Sequence, residues 1–487
     1  MIFLLKERAE MGGEFEGFLD VKDILAERKA HIMVKSGCCG GGEIRCEKES
    51  IAGSISQRAC VYCGARVVLN PITDAVHIVH GPIGCASYTW DLRGSLSSDA
   101  TLFRNSFSTD LGEQDIIFGG EKKLEAAIEE IMQKLEPKPK LIFVYATCVV
   151  GVIGDDIEAV CRRMQKKHAI RVIPVKSSGF TGAKPLGYKL ACAALLELMG
   201  DEPQGKQAGV NILGDYNHGG EIWIIEEYLK KIGVKVIARV TGDSTYNRLI
   251  KAPSASLNIV ECSGSMAYLS KQMEIKFGIP SIRVRFIGFE DIRNSLVQIA
   301  GLVGGEEAVE KALRLVEEEE ARVKPVVETF KKKLSGKTAA VCVGGTYKAI
   351  AITRQLKELG IKPLIVGTQH GSPEDYKTIH DFSAEGTIIL NDTSPAEIEK
   401  YIREKKPDIF VGNVKERVLA LKMGVPFVDF NHDRKYPLTT YEGMINFVKE
   451  LDITANHPVW KWAKTDLIAE DNVSELKTSV KEEVLTK

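Results

Sequence analysis

The sequence predicts an α/β fold of three doubly wound, Rossmann-like parallel-sheet units. Three observations predict it. From about residue 65 onward, apolar strand-like runs alternate with helix-like stretches, the signature of parallel sheets joined by crossover helices. The chain has 487 residues, which suits about three domains at roughly 150 residues each. Its composition, 44% hydrophobic, 27% charged and 7% aromatic, is that of a globular chain able to fill more than one core.

The elements follow from the switch between helical and strand periodicity. Residues 1–50 read as a polar leader without a core, containing the flexible run Cys38-Cys39-Gly40-Gly41-Gly42. In a first unit, 51–207, an amphipathic helix is expected at 121–135, a strand at 140–146, a helix at 155–166 and a strand at 170–175. In a second unit, 208–304, strands are expected at 210–213, 234–239, 257–261 and 281–285, with helices at 220–232 and 266–277. Residues 305–335 read as a charged helical connector, and the run Glu317-Glu318-Glu319-Glu320 as its solvated face. A third unit, 336–465, places strands at 338–343, 362–366, 408–411 and 426–430. Its helices are expected at 347–359, 394–404 and 415–423, and 466–487 is a tail.

Charge excludes one class of partner. With 65 basic and 66 acidic side chains the net charge is −1, whereas a general nucleic-acid binder shows a basic excess. No stretch reaches the roughly 18 to 20 apolar residues of a membrane span. The apolar run from Ile2 to Leu5 meets Lys6, Glu7 and Arg8 at once, too short for the core of a secretory signal. A cytoplasmic protein is expected.

Eleven cysteines in such a chain do not read as a disulfide framework, because cytosolic thiols are kept reduced. Cys161, Cys192, Cys262 and Cys342 fall in or at the ends of regular elements. Cys38, Cys39, Cys46, Cys60, Cys63, Cys85 and Cys148 fall in glycine-rich or turn-like segments. In open α/β sheets ligands bind beyond the carboxyl ends of strands. Cys148, Cys262 and Asn431 with His432 each follow an expected strand, and Cys85 follows the turn Gly81-Pro82-Ile83-Gly84. Thiolates are soft donors that select iron–sulfur clusters, zinc or copper(I). Cys60 and Cys63 alone would suit zinc, but a structural zinc site usually shows a second pair close by. Isolated cysteines on separate turns favour a polynuclear cluster. Other residues have blander readings: Gly344-Gly345 as a tight turn, His77 and His80 as structural residues, and His370 as a loop histidine within reach of a ligand.

These residues carry a resemblance. The stretch from Ser56-Gln57-Arg58-Ala59-Cys60 through His77-Ile78-Val79-His80-Gly81-Pro82-Ile83-Gly84-Cys85 resembles the nitrogenase component 1 superfamily. So do Ala146-Thr147-Cys148 with Ile153-Gly154-Asp155-Asp156, and Cys262 followed by Ser265-Met266. The similarity runs from about residue 50 to 465 and is strongest to the α-type subunit of the cofactor-assembly branch. It implies three domains of the nitrogenase component 1 type. Cys60, Cys85 and Cys148 match the thiols that an α-type chain gives to a 4Fe-4S cluster at the subunit interface. Cys63 is an extra thiol for which the spacing favours Cys60 as the ligand. Cys262 matches the thiolate holding one end of the cofactor. Lys415 matches a lysine near the homocitrate end, and Arg93 an arginine of the cofactor pocket.

The departures from the catalytic pattern point to function. A catalytic chain carries a histidine four residues after a Pro-Phe pair, whereas Pro426-Phe427 is followed there by Asn431, a poorer donor than imidazole. His432, one place along, is an auxiliary candidate after a register shift. Leu186-Gly187 is followed by Tyr188 where the catalytic chain has a histidine, and Lys184 stands at a glutamine position. A site without its proton-delivering acid is impaired by about 10²–10⁴-fold. The resemblance therefore implies a scaffold. On it an eight-iron precursor of the iron-molybdenum cofactor gains molybdenum and homocitrate. A NifN-type β subunit would complete an α2β2 heterotetramer, the nitrogenase Fe protein would dock, NifB would donate the precursor and the catalytic MoFe protein would accept the product. Neither nucleic acid nor membrane is an expected partner. The alternatives are a nitrogenase-like reductase that keeps its cluster and reduces a small substrate, and a zinc or structural thiol protein.

Overall fold

Continuous apolar runs set the centre of each sheet. The computed structural model describes residues 28–35, 44, 59–90, 96–98, 105–201, 205–431 and 436–460. Arg93, His432, Cys38, Cys39 and Cys46 lie outside the described residues. A 3-10 turn at Arg28–His31 leads into β1 (Ile32–Val34). The first unit then runs α1 (Val61–Leu69), β2 (Val76–His80), α2 (Ile83–Trp90), β3 (Ser106–Ser108), α3 (Glu113–Phe118) and α4 (Glu121–Lys134). It continues through β4 (Leu141–Ala146), α5 (Cys148–Ile153), α6 (Ile157–His168), β5 (Arg171–Val175) and α7 (Lys184–Met199). Its strands are parallel in the order β3-β2-β4-β5. Every residue of β4 is buried, as in a strand covered on both faces. α4 buries Leu124, Ile128 and Ile131, one stripe at helical spacing.

The second unit comprises β6 (Gln207–Leu213), α8 (Glu221–Lys231), β7 (Val236–Val240), α9 (Tyr246–Leu249), β8 (Ala255–Val260), α10 (Ser263–Phe277), β9 (Ser281–Arg283) and α11 (Phe289–Val303). Its parallel order is β7-β6-β8-β9. The long helix α12 (Gly305–Leu334) follows. The third unit comprises β10 (Thr338–Gly345), α13 (Thr346–Glu358), β11 (Lys362–His370), α14 (Pro373–Phe382), β12 (Ile388–Asn391) and α15 (Pro395–Lys405). It ends with β13 (Ile409–Gly412), α16 (Val414–Lys422), β14 (Phe427–Asp429) and α17 (Thr440–Ala455). Its order is β1-β12-β11-β10-β13-β14, parallel except for β1. Crossing over from a central strand in both directions makes each sheet doubly wound, and the expected fold class holds. Ser372 and Ser394 start α14 and α15 with capping boxes to Asp375 and Glu397, which satisfy the otherwise orphaned first N–H groups.

Several expectations are corrected. The leader is not wholly without a core. β1 pairs antiparallel with β12, Ile32 opposite Leu390, and buried Arg28 pairs with Glu397 at 2.8 Å. Ile44 packs into the core shared by the second and third units. The acidic helix α12 is more than a solvated connector: Ala308, Ala312, Leu315, Val316, Val323 and Val327 join that core. Glu320 is buried against Arg293 at 2.8 Å and Lys324 at 2.6 Å. Cys63 and Cys85 lie inside α1 and α2 rather than in turns. All nine residues of α1 are buried, so it has no polar face from which a helical period could be read. His370 ends β11 rather than sitting in a loop. Apolar residues of the first and second units share another core, with Tyr62 and Leu69 in one cluster with Leu213 and Met266. Among the described residues no helix is long and apolar enough to cross a membrane.

Candidate functional site

Three thiols meet at one edge of the first sheet. Cys60 is the residue before α1, Cys85 lies in the first turn of α2, and Cys148 opens α5 directly after β4. Each sits at the amino end of a helix. Two of them, Cys60 and Cys148, flank Gly179. A Cβ there would lie 3.0 Å from Cys148 Sγ and 3.4 Å from Cys60 Sγ. Burial pushes the Cys85 thiol above its usual range, and the neighbouring Cys148 and Cys60 add to the shift. Cys148 is exposed, Cys60 and Cys85 half-buried, and Cys63 fully buried within α1. The structure thus brings Cys60, Cys85 and Cys148 together and leaves Cys63 in the core. Among the described residues no three His, Cys, Asp or Glu side chains are spaced to hold a single metal ion. The donor chemistry, soft sulfur from separate elements around a side-chain-free glycine, fits a polynuclear cluster.

A second site lies at the carboxyl ends of strands from the second and third sheets. A cleft is lined by Cys262, Asp215, Glu221 and Glu261 from the second unit, and by Tyr347, Lys348, Gln369 and Asn431 from the third. Lys184 and Tyr188 of α7 complete the wall. This is where open α/β sheets bind ligands. Cys262 precedes α10 directly after β8. Gly214, at φ +91°, lets the turn after β6 pass it, because a Cβ there would come within 2.8 Å of Cys262 Cβ. The Asn431 oxygen accepts from Lys348 Nζ at 3.0 Å, and its amide nitrogen donates to Asn413 Oδ1.

The cleft carries charge of both signs. Glu261 is held well above the ordinary carboxylate range, first by burial and then by Asp215 and Glu221, with Lys348 opposing. Its Oε1 is buried without a hydrogen-bond partner among the described residues. The Asp215 carboxylate accepts from the Asn217 N–H and the Glu221 carboxylate from the Gly219 N–H, both at 2.6 Å. Tyr216 donates to Ser265 Oγ at 2.6 Å, and Tyr347 to the Val284 carbonyl at 2.7 Å, so both hydroxyls brace the wall.

Of the residues expected at this site, Cys262, Lys184 and Asn431 line the cleft. His370 follows the lining residue Gln369, and its main chain pairs with Gly345. Lys415 does not reach the lining. It is exposed on α16, with its ammonium 5.9 Å from the centre of the Tyr88 ring. Gly344 and Gly345 form part of the wall, more than a tight turn. Sequence reasoning missed Asp215, Glu221, Glu261, Lys348 and Gln369. The strand-end rule that located Cys262 and Asn431 also points to Glu261, one residue before Cys262, and to Asp215, two residues past β6.

A chain with three such sheets, a three-thiol edge and a thiol-bearing cleft between sheets is a particular kind of oxidoreductase scaffold. It belongs to the nitrogenase component 1 type oxidoreductase family, whose model matches residues 60–456. Within that family it is similar to the nitrogenase iron-molybdenum cofactor biosynthesis protein NifE of Clostridium pasteurianum, at 57% identity over 88% of this chain and 93% of that protein. NifE of Methanosarcina barkeri is 45% identical over 91% of this chain and 98% of that protein. Among solved structures, "Nitrogenase Cp1 at pH 5" superposes with a TM-score of 0.83 at 32% identity, covering 92% of this chain and 97% of that one.

Proposed function

We propose that this chain is the α-type scaffold subunit on which the iron-molybdenum cofactor precursor is matured before transfer to the catalytic protein. The observation that carries the reading is the asymmetry of the cleft. Cys262 offers it one strong soft ligand, and at position 431 an amide engaged by Lys348 stands where imidazole would anchor a metal. A cargo held by one thiolate can be released, whereas one anchored at two points stays. The names of the similar NifE proteins support the same reading.

In this reading Cys60, Cys85 and Cys148 hold a resident 4Fe-4S cluster, and a NifN-type subunit supplies the remaining ligand in an α2β2 heterotetramer. That cluster supplies one-electron transfer when bound. The chain's own residues do the rest. Cys148 presents its thiol at the surface, and Gly179 keeps the space between the thiols clear. Cys262 binds the eight-iron precursor delivered by NifB. Lys184 and Lys348 balance the negative charge of the cargo and its homocitrate. Molybdenum and homocitrate are added here with the Fe protein docked, and the product passes to the MoFe protein.

The test is anaerobic purification with the partner subunit, followed by mixing with cofactor-free catalytic protein. Transfer of iron and molybdenum with activation of the acceptor is expected. A cluster that stays bound while steady turnover of a small substrate appears would sink the scaffold reading in favour of a reductase. Cys262→Ala is expected to abolish precursor loading and spare the interface cluster, so simultaneous loss of both by iron quantitation counts against the separate roles.

A further inference from the structure

The wall at Asn431 is held by a one-way chain of hydrogen bonds. Lys348, in the first turn of α13 just past Gly344 and Gly345, donates to Asn431 Oδ1 at 3.0 Å. Asn431 Nδ2 donates to Asn413 Oδ1, and Asn413 Nδ2 donates to the Cys342 carbonyl at 3.3 Å. An ammonium only donates and a carbonyl only accepts, so the direction of the chain is fixed from both ends. Asn431 must turn its oxygen toward Lys348 and its nitrogen away. The main-chain N–H groups of the two asparagines are held as well, by Asp429 at 3.0 Å and Glu416 at 2.9 Å. Both asparagines are buried, and flipping either would leave polar atoms unpaired.

We propose that Lys348 is the positioning residue that keeps this wall from ligating metal and turns it into a docking point for an anionic carboxylate. The proposal rests on the reading of the cleft as a site for a transferable cluster. A positive charge one hydrogen bond from the amide oxygen opposes the approach of a metal cation to that oxygen. The same ammonium, lining the cleft beside Asn431, suits a carboxylate. Lys415, which the resemblance had placed in this role, lies on an exposed face.

Two arms test it on the complex with its partner subunit. In the unloaded complex, citrate binding followed by calorimetry is expected to weaken roughly tenfold in Lys348→Met and to recover in Lys348→Arg. Equal affinity in wild type and Lys348→Met overturns the anion role, whether or not any cluster loads. In the loaded complex, Asn431→His alone is expected to release its cargo within about threefold of the wild-type rate, because Lys348 still donates to the new imidazole. Adding Lys348→Met frees the imidazole. Release then slows about tenfold or more, and X-ray absorption at the cluster metals gains a nitrogen ligand. Equal slowing in the single and double variants, or a double variant without nitrogen ligation, overturns the blocking role. A wild-type complex that never loads the cleft defeats the scaffold reading instead, and the citrate arm still decides Lys348. Unchanged thermal unfolding and interface-cluster iron show that the variants are folded.

Discussion

The main chains of Cys60 and Ala183 pair in an isolated antiparallel bridge, and the N–H of Lys184 donates to the Ala59 carbonyl at 2.8 Å. Cys60 belongs to the three-thiol edge and Lys184 to the wall of the cleft, so one backbone contact spaces the two sites. Behind it α1 and α7 pack through glycines. A Cβ at Gly64 would lie 2.1 Å from the Lys184 carbonyl oxygen, and one at Gly187 would lie 2.0 Å from that of Val61.

Gly187→Ala forces these helices apart. Overpacking of this kind costs about 1–3 kcal/mol, and carbonyl oxygens give way less easily than side-chain tips. A lower thermal midpoint is expected, together with reduced iron at both sites. A variant as stable as wild type would show that the helices separate at no cost.

Gly179→Ala acts on one site only. Its Cβ would meet Cys148 Sγ at 3.0 Å and Cys60 Cβ at 3.1 Å. The interface cluster is expected to fall in occupancy while loading at Cys262 continues, as read by iron quantitation and by the electron paramagnetic resonance signal of the cluster.

Arg28 ties β1 to the third sheet. It pairs with buried Glu397 at 2.8 Å and donates to the Asp392 carbonyl at 3.0 Å. Arg28→Ala leaves the Glu397 carboxylate buried opposite no charge, a loss of about 3–5 kcal/mol for a broken buried pair. Hydrogen exchange at β12 is expected to rise, because its outer edge is paired by β1. Unchanged protection there would mean that β1 holds without Arg28.

His77 gives the fold an acid-sensitive element. Its ring is buried on β2, bonds the Tyr145 hydroxyl at 2.8 Å and stacks on Phe143. Burial first, and Arg66 second, lower its pKa well below 6.5. The unfolded chain therefore takes up a proton that the folded chain refuses. This contribution is intact above about pH 6.5 and is lost as pH falls below it. The thermal midpoint is expected to drop on acidification, and His77→Phe to flatten that slope. An unchanged slope would assign the acid sensitivity to other groups.

How much of this was legible depended on burial. β4 and α4 could be read because one is apolar throughout and the other apolar on one stripe. α1 could not, because a helix buried on every side has no polar face to mark its period. Cys60, Cys85 and Cys148 stood out as thiols beside turns. Lys348 did not, since a lysine early in a helix is usually solvated, and only its bond to Asn431 gives it a role.

The alternation of strands and helices, the strand ends at which ligands can gather, and the amide of Asn431 at one of those ends can all be read along the chain. These are local properties, set by side-chain type and near-neighbour spacing. Which distant residues share a wall follows instead from the folded packing: Asp215, Glu261, Lys348 and Asn431 in one cleft, Lys415 outside its lining, and Arg28 reaching Glu397. Contacts between residues far apart in the chain depend on how three sheets pack together, and no short stretch of sequence encodes that packing.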